Sequence, residues 1–175
     1  MKKSRRGFTL VELIISMAIF SLMTTLVIAN FRSASSQRLL RSQANALASV
    51  FKQAQVQALS GKPFNSAVPV GGYGVLLSIC SVPPCAVTLF ADVNGDFTYD
   101  GAAEKIEDFA LGQNVTLTAL SLAAPVAVVY KPPSAFVCIN GKCSETAPVQ
   151  ITLTAYQTAS SQIVKLNPSS GQISS

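Results

Sequence analysis

Three groups of residues in this chain are of types that can do chemistry. Glu12 is the one charged side chain in the apolar stretch 8–29, and Lys2, Lys3, Arg5 and Arg6 crowd ahead of it, before Gly7. An ionised carboxylate inside a bilayer costs about 2–3 kcal/mol even on lenient insertion scales, so one kept there needs a partner. The second group is Asp92, Asn94, Asp96, Thr98 and Asp100, whose oxygens alternate along a tight Asn94-Gly95 segment as at the start of a calcium loop. The third is two Cys-x4-Cys pairs, Cys80 with Cys85 and Cys138 with Cys143.

Nothing comparable supports catalysis. The chain has no His. Its serines have no base beside them, and Glu104, Glu107 and Asp108 next to Lys105 read as a solvated face. No glycine-rich phosphate loop is present, so the expectation is that the chain is not an enzyme.

The elements that must position these groups follow from periodicity. Residues 8–30 form an apolar run long enough to cross a bilayer, which needs about 20 residues. Beyond it Leu40, Ala44, Leu47, Phe51, Ala54 and Ala58 recur at three and four residues, with Val50 and Leu59 beside them. Gly61 and Pro63 supply the stop, predicting one helix from Phe8 to about Ser60, on the order of 80 Å long at 1.5 Å per residue. The weakly helix-forming 30–36 segment is where a bend is expected. After Gly61, short runs rich in β-formers predict strands at 73–79, 86–91, 106–110, 115–120, 126–131, 135–139, 149–156 and 162–166, with a last one at 172–174. Turns are marked by Val82-Pro83-Pro84, Asn94-Gly95, Pro132-Pro133, Asn140-Gly141 and Asn167-Pro168. Closely spaced strands without intervening helices pair antiparallel, so the fold class is α+β: a long N-terminal helix packed on one or two antiparallel sheets. The expected division is residues 1–7, a membrane helix at 8–30, its amphipathic continuation at 31–61, and a β-rich domain at 62–175.

The net charge of +5 invites a nucleic-acid reading, but four of the 13 cations lie before Gly7. From Gly61 onward five lysines face seven acids. Arg32, Arg38, Arg41 and Lys165 are too few for a phosphate-binding patch, so nucleic acid is a disfavoured partner. The leading cations hold the N-terminus in the cytoplasm and send the rest outward. An ordinary signal peptide cut after Val27-Ile28-Ala29 would need an apolar core of only about 7–15 residues.

The series Gly7-Phe8-Thr9-Leu10-Val11-Glu12-Leu13 after a short basic leader resembles the cleavage and methylation signal of type IV pilins and of type II secretion pseudopilins. The resemblance implies a prepilin peptidase that cuts between Gly7 and Phe8 and methylates the new amine of Phe8. Glu12 would pair with that ammonium on a neighbouring subunit, since two opposite charges desolvated together cost less than either alone. The implied partners are the peptidase, other pilin or pseudopilin subunits and the inner membrane. Shorter segments, Gly72-Tyr73-Gly74-Val75 and Asn167-Pro168-Ser169-Ser170-Gly171 among them, are similar to H-type minor pseudopilins and FimT-like minor pilins. The function this implies is a structural subunit that helps to initiate or cap a filament. The alternatives are a DNA-capturing minor pilin and a major pilin.

In an exported domain the cysteines are expected to form disulfides, paired locally or in one of two crossed arrangements, before an all-thiolate zinc site. The Asp92–Asp100 cluster leaves two readings open. One is a calcium loop, as in some pseudopilins, although its glycine falls early and its twelfth position is Ala103. The other is a bare type I′ hairpin at Asn94-Gly95 pairing the strand before it with 97–99.

Overall fold

The computed structural model describes residues 9–134, 136–158 and 160–174, with the side chains of residues 29–33 left out. The chain divides into two compact units, Met1–Ser35 and Ser36–Ser175. Helix α1, Leu10–Ser60, supplies the first unit and opens the second. Segment 30–36, where a bend was expected, is helical throughout.

In the first unit, Leu10–Ile28 is 19 residues with a mean hydropathy of 2.2, long and apolar enough to cross a membrane. At 1.5 Å per residue it measures about 28 Å, close to the hydrocarbon thickness of a bilayer. Its large side chains, including Ile14, Met17, Phe20 and Leu26, are exposed and await lipid or other helices. Three of the four hydroxyls along it are used internally: Ser16, Thr24 and Thr25 each donate to the carbonyl four residues back, at 2.7 Å. That satisfies polar atoms which hydrocarbon cannot.

In the second unit α1 buries Leu40, Ala44, Leu47, Val50, Phe51, Ala54 and Ala58, the stripe that three-and-four spacing puts on one face. Leu59 is corrected: it is 54% exposed, one position off that face. Gly61, at φ +57°, ends the helix in the left-handed region, and the Lys62 N–H reaches back to the Gln57 carbonyl.

Nine strands follow: β1 (Gly72–Leu77), β2 (Ala86–Asp92), β3 (Lys105–Ala110), β4 (Val115–Leu120), β5 (Val126–Lys131), β6 (Phe136–Ile139), β7 (Val149–Ala155), β8 (Ser161–Asn167) and β9 (Gln172–Ser174). They form two antiparallel sheets, ordered β3-β2-β1-β5-β6 and β4-β7-β8-β9. An isolated bridge, Cys80 to Leu117, joins the end of the β1 segment to β4. Val75, Leu89 and Val128 from one sheet and Leu117, Ile151, Leu153 and Val164 from the other share a single core with the helix stripe. The five-stranded sheet buries side chains on its other face too, where Phe90, Ala127 and Val129 form a second cluster with Leu76, Phe97 and Tyr99. A sheet with both faces covered reads as near-continuous apolar sequence, as Val126-Ala127-Val128-Val129-Tyr130 does.

Residues 97–99 are not a strand, which corrects the hairpin expected at Asn94-Gly95: β3 starts only at Lys105, after a 12-residue strap at 93–104. Type I′ geometry needs positive φ at both central residues, and here only Gly95 of the pair has it. The strap's backbone is organised around two carboxylates instead.

Candidate functional site

The first candidate site lies at the start of α1. Gly7 and Phe8, with the four leading cations, lie outside the described residues. Thr9 immediately precedes the helix, and its Oγ1 accepts from the Glu12 N–H at 3.3 Å. The Leu13 N–H donates to the Thr9 carbonyl at 3.2 Å. Thr9 is thus the N-cap and Glu12 sits three residues in, where the helix dipole favours an anion. This role of Thr9 was missed from sequence, although Thr9-x-x-Glu12 is the spacing of a capping box. Among the described residues the Glu12 carboxylate has no ion-pair partner, the single pair there being Lys105 with Asp108.

The second candidate is the strap. Asp92, fully buried at the end of β2, accepts from the Gly95 N–H through Oδ1 (2.7 Å) and from the Phe97 N–H through Oδ2 (2.9 Å). Glu104, also buried, accepts from the N–H groups of Val93 and Asp100, each at 3.0 Å. Burial pushes the Asp92 carboxyl above its ordinary range, the two N–H donors oppose this, and the neighbouring Glu104 and Asp96 charges add to it. Asp96 is held low by the Thr98 N–H and hydroxyl, both 2.8 Å from its Oδ1. The two act oppositely on stability. Asp92's burial cost is relieved as pH falls through its raised pKa, whereas Asp96's contribution is lost as pH falls through its lowered one.

The remaining predicted ligands converge on an amide. Asn94 Nδ2 donates to Asp96 Oδ2 at 3.1 Å and to Asp100 Oδ2 at 2.6 Å, standing where a cation between those carboxylates would stand. Thr98 donates its hydroxyl to Asp96 Oδ1, and Asp92 spends both carboxylate oxygens on the strap's own N–H groups. No group of three or more His, Cys, Asp or Glu side chains able to hold a metal occurs among the described residues. Calcium at millimolar concentration and a chelator are therefore expected to give superimposable thermal melts. A midpoint that falls on chelation would contradict this geometry. Asn94→Asp, which swaps the bridging donor for a third carboxylate, should lower the midpoint and make it calcium-sensitive.

The cysteines pair locally, Cys80 with Cys85 and Cys138 with Cys143, and none is free. Of the cations considered for nucleic acid, Arg32, Arg38 and Arg41 lie along α1 and Lys165 lies apart. Arg38 and Arg41 are exposed on α1, and Lys165 projects from β8 in the four-stranded sheet. The Arg32 side chain is outside the described residues.

Residues 2–28 match the family model described as the prokaryotic N-terminal methylation motif, a type IV pilin-like signal. No curated protein and no solved structure matches the chain. The motif implies processing by a prepilin peptidase and assembly with other pilins, and with the apolar N-terminal helix it fits inner-membrane anchoring.

Proposed function

We propose that this chain is a structural subunit of a type IV pilus or a type II secretion pseudopilus, inserted in the inner membrane with its N-terminus in the cytoplasm and its β domain exported. The observation that carries the reading is the methylation motif over residues 2–28, which places Glu12 near the start of an otherwise uncharged apolar helix. Leader removal after Gly7 frees the Phe8 amine, the one new cation available at that depth, and Glu12 of an adjacent subunit is its counter-charge. The helix then leaves the bilayer for a filament core of like helices.

Within that class the chain is a minor subunit that primes or caps assembly, of the H-type or FimT-like kind. Its exported part has five lysines against seven acids from Gly61 onward, which suits docking to other subunits better than binding phosphate. The test is recovery in filaments sheared from cells. Presence at a small fraction of the main subunit supports the proposal, abundance equal to the main subunit would make it a major pilin, and absence would overturn the filament reading.

A further inference from the structure

The strap at 93–104 and the Cys138–Cys143 bridge are far apart in sequence but meet in the fold. Asn140 and Gly141 turn the chain after β6 with φ of +47° and +78°, and Ile139 and Lys142 exchange both backbone hydrogen bonds across that turn. The bridge closes the same loop one residue further out on each side. The turn is fastened to β5, where Asn140 Oδ1 accepts from the Ala127 N–H at 2.7 Å, and to the strap, where the Gly141 N–H donates to the Phe97 carbonyl at 3.1 Å. Phe97 is the strap's strained point, a bulky residue at φ +61°, and with Tyr99 it covers Phe90, Ala127 and Val129. The other bridge is tied elsewhere: the Cys80 N–H donates to Leu117 and the Cys85 carbonyl accepts from Leu111.

We infer that Cys138–Cys143 is a redox-sensitive latch for the 93–104 strap, whereas Cys80–Cys85 is not. Cys138 is fully buried and Cys143 half-buried, so the accessible sulfur is that of Cys143. One thiolate of a dithiol reductant attacks Cys143 Sγ, and the Cys138 thiolate leaves and is protonated. The reductant's second thiol then closes on the mixed disulfide, releasing Cys143 as a thiol and carrying off the oxidised cyclic reductant. Without the bridge the 139–142 turn no longer holds Phe97, and the strap lifts from the second cluster.

Hydrogen exchange on the full chain in detergent micelles, before and after dithiothreitol, reads this directly. The Gly95 and Phe97 amides should exchange about tenfold faster after reduction while the amides of β1 and β5 keep their protection. The double variant Cys138→Ser/Cys143→Ser should reproduce the effect without reductant, and Cys80→Ser/Cys85→Ser should leave the strap amides at their wild-type rates. Unchanged strap exchange in the first variant, equal loosening in both, or loss of protection throughout the sheet would each overturn the latch.

Discussion

Glu12→Ala is expected to lower recovery of the chain in sheared filaments by at least about tenfold, equivalent to about 1.4 kcal/mol of assembly free energy. Leader cleavage and membrane insertion should survive. Insertion should not suffer, because the substitution removes a charge from one end of the apolar span. On the proposed reading the loss falls on assembly, where the acid pairs with the Phe8 ammonium of a neighbouring subunit; among the described residues it has no ion-pair partner. Glu12→Gln should behave like the alanine variant, since it keeps the shape and removes the charge. Glu12→Asp should retain part of the activity. Incorporation of Glu12→Ala at the wild-type level would overturn the pairing and leave the acid only its favourable place at the N-terminal end of the helix dipole.

The largest effect on folding is expected from Gly72→Ala. Gly72 opens β1 at φ +100°, and a Cβ there would lie 2.1 Å from the Tyr130 carbonyl oxygen and 2.7 Å from Pro132 Cδ. The first obstacle is backbone of the adjacent strand, so nothing flexible can give way. A left-handed conformation costs a residue with a side chain about 1–2 kcal/mol and overpacking about 1–3 more, predicting about 3 kcal/mol of destabilisation or worse. Gly101→Ala separates the two causes. Its φ is +108° with nothing within 4 Å of the new Cβ, so only the backbone cost of about 1 kcal/mol should appear. Denaturant unfolding of both variants measures the difference, and equal midpoints would place the cost in the dihedral alone.

The sequence pattern carried the helix stripe well because burial on one helix face is a local property. Leu40, Ala44, Leu47, Phe51, Ala54 and Ala58 are all buried as their spacing requires, and Leu59 fails only because it falls just past the stripe's edge. Strand positions were legible for the same reason, whereas the order β3-β2-β1-β5-β6 depends on pairings between distant segments that no window contains. The two Asn-Gly dipeptides show the limit most clearly. Asn140-Gly141 makes the tight turn its type favours, while Asn94-Gly95 does not, because Asp92 and Glu104 collect four backbone N–H groups and wrap the chain around themselves. Which carboxylates become buried is decided by the second cluster beneath the strap, a tertiary fact. Of the N-terminal site, Glu12 stood out as a lone charge among apolar residues, and Thr9 was hidden because a threonine beside such a run is unremarkable until its capping distance is seen.

Mass spectrometry of the N-terminal peptide, on chain recovered from membranes of cells with an active prepilin peptidase, tests the central claim most directly. The expected first residue is Phe8 carrying one added methyl group. A chain that keeps residues 1–7, or one that starts at Asn30, would contradict it.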